Sequence, residues 1–338
     1  MNPPSTAAPT TPEQAIVLHS YLRPGEERTL AEDVLDGLTR PFKELPPKHF
    51  YDTRGAELFD QICELPEYYP TRAERSILVL HAAQIAHATG AGEVVELGSG
   101  TADKTRVLLS ALAAAGTLRR YVPVDVTEAM VRRCAEELTA TFGGLHVHGI
   151  VGDFERHLSH VPLADSEPRI VALLGGTIGN FTPGARRRFL RQVARLLRPG
   201  VDHLLLGTDL VKDPAVLEAA YDDAAGVTAE FNRNVLRVMN RELGADFEPE
   251  AFEHVAFFDR EREWIEMRLR ASRRMQVTIP DLGLSVEFAA REEMRTEISA
   301  KFTPQRLRDD LGAAGLELTQ TLTDPAGQFA LSLSTPRA

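Results

Sequence analysis

The sequence predicts an α/β fold: a doubly wound parallel sheet closed by an antiparallel hairpin, carrying a second, α+β domain. Three observations predict it. Five short apolar runs alternate with helical patterns between residues 94 and 207, the rhythm breaks over 214–289, and a hairpin pattern closes the chain. Near-continuous apolar strands alternating with helices imply a parallel sheet covered on both faces.

Met1–Glu13 is rich in Pro, Thr and Ala and has neither a basic n-region nor an apolar h-region, so residues 1–19 read as a disordered tail. Tyr21–Leu45 is mostly helical in pattern and stops at Pro46-Pro47. Phe50–Tyr69 follows, with Phe59, Ile62 and Leu65 at helical spacing, and Thr71–Ala88 makes a helix leading into the sheet. Strand one is Val94–Leu97, with Lys104–Ala115 as its helix. Strand two is Tyr121–Val126, followed by helix Glu128–Thr141, and strand three is His146–Val151. Strand four, Ile170–Leu174, leads to Gly175–Phe181. Thr182 and Pro183 then open a helix whose Phe189, Leu190, Val193, Leu196 and Leu197 form one apolar face. Strand five is Leu204–Gly207.

Pro214–Leu243 reads as helices with no strand between them. His254–Phe257, Trp264–Ala271, Met275–Ile279 and Leu284–Ala289 read as strands separated by turns. This stretch is too long for a loop and reads as an inserted domain. A last helix runs from Thr303-Pro304 to Leu316, and Glu317–Thr323 with Gln328–Ser334 makes the hairpin. The expected division is 20–71 with 212–300 as a substrate-binding domain, and 72–211 with 301–338 as the sheet domain.

Composition narrows the function. With 338 residues, 43% hydrophobic and 26% charged, this is a globular chain with room for a sizeable core. A net charge of −11 argues against a nucleic-acid partner. No apolar run approaches the ~20 residues of a membrane span. Two cysteines, Cys63 and Cys134, make no disulfide framework, which points to a reducing cytoplasm.

The chemistry centres on Glu96–Thr105, ELGSGTADKT, at the end of strand one. Gly98 and Gly100 let backbone approach a nucleotide-like group, and the N–H groups of the following helix face it. The dinucleotide fingerprint wants a third glycine where this chain has Asp103, and an acidic residue such as Glu96 suits a ligand that carries a cation. The motif alone leaves a methyl donor and a nucleotide both open, as well as a plain tight turn. The closing antiparallel hairpin favours the Rossmann-like methyltransferase architecture and S-adenosylmethionine.

Ligands of such sheets lie beyond the carboxyl ends of the strands, which selects Gly98, Asp125, Asp153-Phe154 and Asn180. Asp125 is placed to take ribose hydroxyls, or to cap the next helix. Asp153 beside Phe154 suits an adenine, the carboxylate accepting from its amine while the ring stacks, or else forms a turn beside a core ring. Lys104 is either a cofactor contact or a solvated first-turn residue. Strand four ends in Gly179-Asn180-Phe181, not the Asn/Asp-Pro-Pro-aromatic turn of enzymes that methylate base amines. His146 and His148, or His157 and His160, have no third ligand at metal spacing, and no metal is expected.

The run Lys48–Arg72, with FYD and LPEYYPTR, resembles the histidine-specific Nα-methyltransferase family of ergothioneine biosynthesis. So do ELGSGTADKT, GTIGNF, GTDLVKD, AYDDAAGVTAEFNRNVL, FEHVAFF, IEM and TEISAKF. The resemblance covers Tyr21 to Ser334. It implies S-adenosylmethionine-dependent conversion of L-histidine to its Nα-trimethyl betaine, hercynine, with the inserted domain and N-terminal helices forming the amino-acid pocket. It further implies that Asn180 and Tyr221 hold the substrate carboxylate and that Glu297 and Ser299 hold the two imidazole nitrogens. Tyr51, Phe231 and Met267 would line the pocket, with Tyr51, Asn180 and Tyr221 nearest the reacting amine. Tyr68, Gly98, Lys104, Asp125, Asp153 and Phe154 would bind S-adenosylmethionine. Without the resemblance, Glu297 and Ser299 read as an ordinary alternating strand edge. Phe258-Asp259 departs from the aromatic-Asn pair expected of relatives. L-Histidine is the expected small-molecule partner, and a monomer suffices for it. A relative that methylates another amino acid or amine is the first alternative. A nicotinamide oxidoreductase, disfavoured by Asp103, and a noncatalytic binding protein follow.

Overall fold

The computed structural model describes residues 15–22, 29–164 and 166–337. In chain order the elements are β1 (Ile16–Ser20), α1 (Leu30–Leu38), β2 (Lys43–Glu44), α2 (Thr53–Glu64), α3 (Pro70–Thr89), β3 (Glu93–Leu97) and α4 (Thr105–Ala114). β4 (Arg120–Asp125), α5 (Glu128–Thr141), β5 (His146–Val151), α6 (Phe154–His157), β6 (Arg169–Leu173), α7 (Pro183–Ala194) and β7 (His203–Asp209) follow. The inserted stretch holds α8 (Pro214–Ala219), α9 (Val227–Leu243), β8 (Phe252–Asp259), β9 (Trp264–Ala271), β10 (Met275–Ile279), β11 (Leu284–Phe288) and β12 (Glu293–Ala300). The chain closes with α10 (Pro304–Ala313), β13 (Leu316–Thr323) and β14 (Phe329–Pro336).

The main sheet has the order β1-β5-β4-β3-β6-β7-β14-β13. The first six of these run parallel, while β14 is antiparallel to β7 and to β13. β3 and β6, in the middle, are buried at every position, as expected for strands covered on both faces. The α/β class and the closing hairpin are therefore as the sequence predicts. A second sheet, β2-β12-β9-β8, gathers the inserted strands, and β10-β11 forms a separate ribbon.

Several expectations require correction. Residues 16–19, assigned to a disordered tail, form β1 together with Ser20, paired in parallel with β5. Leu18 lies opposite Gly149, and a Cβ there would meet the Leu18 side chain at 2.4 Å, so the missing side chain makes room for the strand. Residues 1–14 of that tail lie outside the described residues. Among its described residues, Tyr21–Leu45 contains one short helix, α1, whose N-cap Thr29 forms a capping box with Glu32, and the two-residue strand β2. β12 has no counterpart in the sequence reading. It is a central strand, between β9 and β2.

The N-terminal segment is tied to the inserted stretch by specific contacts. Asn234 of α9 donates to Asp52 at 2.7 Å, the Phe50 and Phe231 rings lie 4.7 Å apart, and β12 pairs in parallel with β2 at Met294–Lys43. In the sheet domain Arg186 of α7, 1% exposed, pairs with Asp310 of α10 at 2.7 Å. Asp310→Ala strands that guanidinium without its counter-charge, so a loss of about 3–5 kcal/mol is expected in urea unfolding. Arg186→Met/Asp310→Leu should recover most of it.

Candidate active site

β12 carries the polar centre. Alternation along a strand puts residues 297, 299 and 301 on one face. A register shift between Arg295 and Glu297 sets that face opposite β9, pairing Glu297 with Met267 and Ser299 with Ile265. Directly opposed residues share a face, so Met267 lies beside Glu297. The turn Thr177–Asn180, just after β6, is docked on the same strand. A Cβ on Gly179 would lie 2.9 Å from the Ala300 carbonyl oxygen and 3.4 Å from Ser299 Oγ, so only glycine lets the turn approach this closely. Asn180 and Glu297 line one cavity of about 260 Å³ together with Leu45, Pro46 and Ile298.

Tyr221 follows α8 and joins this group through Ser299, its hydroxyl 2.8 Å from Ser299 Oγ. Lys301 Nζ donates to the Tyr221 hydroxyl at 3.0 Å and to Ser299 Oγ at 2.9 Å, and it lies 2.9 Å from Asp209 Oδ2. Asp209 also accepts from the Tyr69 hydroxyl at 2.8 Å and from Lys212 at 2.6 Å. Burial pushes the Asp209 carboxyl up, but Lys301 and Lys212 together hold it below the ordinary range. Behind Tyr221, His254 Nε2 donates to its backbone carbonyl at 2.8 Å, while His254 Nδ1 accepts from Asn232.

A cluster of aromatic rings adjoins Tyr221. Tyr51 meets Phe231 and Phe59 edge-on, each at 5.6 Å between ring centres, and Tyr68 meets Phe59 at 6.2 Å and Tyr221 at 6.3 Å. Tyr51 keeps 51% of its surface accessible, yet burial raises its phenol pKa well above the ordinary value. Both hold for a ring that lines a deep cleft. Burial likewise raises the phenols of Tyr68 and Tyr221, so all three hydroxyls stay protonated at neutral pH.

Glu297 is pushed up to about 7 by burial, against the pull of Lys301. A carboxyl raised above its unfolded value contributes stability that is complete below about pH 4.5 and lost as pH rises through 7. Ligand-free Glu297→Gln is therefore expected to gain on wild type between pH 5 and 8, by on the order of 1–3 kcal/mol. Urea melts at the two pH values measure the gain.

At the carboxyl end of β3, Gly98 and Gly100 both have positive φ, 75° and 48°. A Cβ at Gly100 would meet nothing, which leaves an open cradle. Asp125 accepts from Gly100 N and Thr127 N, each at 3.0 Å, and so fixes the loop while keeping acceptor capacity. Asp153 caps α6 through Glu155 N at 2.8 Å, and Phe154 lies 3.5 Å from where a Gly98 Cβ would be. The buried Ser99 hydroxyl has no partner among the described residues. An open glycine cradle, a carboxylate with spare acceptors, a half-buried ring and an unused hydroxyl fit the ribose and adenine of S-adenosylmethionine.

Two residues depart from expectation here. Glu96 does not face a ligand's cation: it is buried and accepts from Thr105 and Tyr121, with its carboxyl pushed up to about 7 by burial. Lys104 is not a solvated residue: it is ion-paired with the buried Glu74, which also accepts from Gly175 N at 2.9 Å. Glu74 thus ties the glycine loop to the turn that carries Asn180. Sequence reasoning missed Glu74, Asp209 and Lys301. The period-two alternation of TEISAKF is the signal that would have found Lys301.

Residues 30–336 match the family described as "Histidine-specific methyltransferase, SAM-dependent". Histidine N-alpha-methyltransferases from Mycobacterium tuberculosis and Mycolicibacterium smegmatis are each 53% identical over 305 residues, 90% of this chain and 94% of theirs. "Ergothioneine biosynthesis protein 1" of Neurospora crassa is 34% identical over 205 residues, 60% of this chain but 23% of that protein. With the family match spanning every strand except β1 and every side chain of the candidate site, the chain belongs to the S-adenosylmethionine-dependent, histidine-specific methyltransferases.

Proposed function

We propose that the chain methylates the α-amine of L-histidine three times, giving hercynine for ergothioneine biosynthesis, and that the β12 face with its aromatic wall is the amino-acid pocket. The observation that carries this reading is the placing of a half-buried carboxyl, Glu297, and a hydroxyl, Ser299, on one strand face. Two polar groups so placed satisfy both nitrogens of an imidazole and leave an apolar ring no partner to replace them. In this reading 20–71 and 212–300 form the substrate lobe, closed over the cofactor-bearing sheet, and the free thiols Cys63 and Cys134 accord with a reducing cytoplasm.

Asn180 and Tyr221 hold the carboxylate, orienting the α-amine toward the glycine loop. Tyr51, Phe231, Met267 and Tyr68 exclude water from it. Desolvation favours the neutral amine, the form with a lone pair to offer. S-Adenosylmethionine, held by Gly98, Asp125, Asp153, Phe154 and the Lys104-anchored loop, supplies an electrophilic methyl on a sulfonium. The tyrosine phenols, all held protonated, serve as hydrogen-bond partners rather than phenolate bases, and their ring faces suit an amine that ends as a fixed cation.

Mass spectrometry of the protein with S-adenosylmethionine and a mixture of the common amino acids tests the reading. Three successive methyl additions to histidine are expected. Trimethylation of a different amino acid, with histidine untouched, overturns the substrate assignment and leaves the first alternative.

A further inference from the structure

We propose that Lys301 clamps the Tyr221 and Ser299 hydroxyls together so that the Ser299 hydrogen is spent on Tyr221, leaving Ser299 an acceptor and the pocket selective for a ring that presents N–H at both nitrogens. The proposal rests on the substrate reading above and deepens it.

An ammonium group has three donors and no acceptor. In this chain all three are committed, to Asp209, the Tyr221 hydroxyl and Ser299 Oγ. Lys301 is fully buried, so none of the three bonds is shared with bulk water. By donating to both hydroxyl oxygens it holds them 2.8 Å apart, a separation that requires a hydrogen between them. That hydrogen comes from one hydroxyl only. If Tyr221 spends its own on the substrate carboxylate, the bridging hydrogen belongs to Ser299. Ser299 then accepts from Lys301, donates to Tyr221 and has a single lone pair left for the ring. Glu297, ionised once an imidazolium faces it, is also an acceptor. The pocket therefore offers two acceptors to the imidazole, and a ring carrying both N–H groups answers both. A ring with one N–H and one lone pair sets that lone pair against an oxygen lone pair.

Lys301 is thus a positioning residue that contributes specificity without touching the substrate. Without it, Tyr221 and Ser299 are free to separate, and the serine hydrogen can turn into the pocket.

The test uses triazolylalanine, the histidine isostere in which nitrogen replaces the ring carbon between Cγ and Nε2. Its shape is that of histidine, but it stays neutral near pH 7 and never carries two N–H groups at these positions. Calorimetry with S-adenosylhomocysteine present measures both amino acids on wild type, Lys301→Met, Ser299→Ala and the double variant. Wild type is expected to bind histidine at least ~100-fold more tightly than the isostere. Lys301→Met should shrink that ratio by about tenfold or more, because histidine loses an acceptor that the isostere gains as a donor. In the Ser299→Ala background the same lysine change should leave the ratio alone. Asp209 keeps Lys212 and Tyr69 as partners in Lys301→Met, and unchanged S-adenosylhomocysteine affinity confirms that the variant is folded. If it does not fold, Ser299→Ala alone carries the test and should also shrink the ratio. Equal binding of the two amino acids by wild type, or a ratio unmoved by both single changes, overturns the proposal. Failure of wild type to bind histidine at all overturns the substrate reading beneath it.

Discussion

Glu297→Ala is expected to raise the Kd for histidine by at least ~100-fold while the affinity for S-adenosylmethionine changes by less than about threefold. The asymmetry follows from placement. Glu297 stands on β12, opposite Met267 and beside Asn180 in the same cavity. The glycine loop that would hold the cofactor is fixed separately, by Asp125 and by the Lys104–Glu74 pair. Removing the carboxylate leaves a ring N–H buried without an acceptor, and such a loss costs far more than one exposed hydrogen bond. Calorimetric titration of each ligand decides the matter. Equal losses for both would mean that Glu297 supports the fold at large rather than the pocket.

Asp125→Ala should give the mirror image. Its carboxylate accepts from Gly100 N and Thr127 N, so its loss unties the cradle as well as removing the proposed partner of the ribose hydroxyls. Two charge-assisted bonds to backbone N–H groups and the ligand contacts together make a loss of about 100-fold or more in S-adenosylmethionine affinity. The proposed histidine pocket keeps its walls, so histidine binding measured with excess cofactor should return toward the wild-type value. A variant that loses both ligands irrecoverably at saturating cofactor would contradict this independence.

The sheet was legible because its signals are local. An apolar run of five residues bounded by glycines or prolines, followed by a 3.6-residue period, needs no distant partner to be recognised. Asp125 and the glycines were placed by the same logic, from the carboxyl ends of strands. The second lobe was harder to read. β12 mixes charged and apolar residues across a register shift, so its sequence reads at most as a strand edge and does not show that β9 and β2 flank it. β1 was lost inside a tail of low-complexity composition because five residues of weak alternation mean little without β5 beside them. Glu297 and Ser299 came from the family likeness rather than from their own pattern. The reason is physical: polar residues on a strand show the same alternation whether they face water or a buried ring. Lys301 and Asp209 form a pair 92 positions apart in the chain, and a contact of that separation leaves no trace in a single sequence.

Because β5 is capped by only the five residues of β1, a version of the chain shortened past Tyr21 would uncover the backbone of Val147–Val151. Unsatisfied amides and carbonyls along an apolar strand invite a second molecule to zip onto them. Residues 16–20 therefore act as a guard against self-association, and a chain trimmed past them would present a sticky edge.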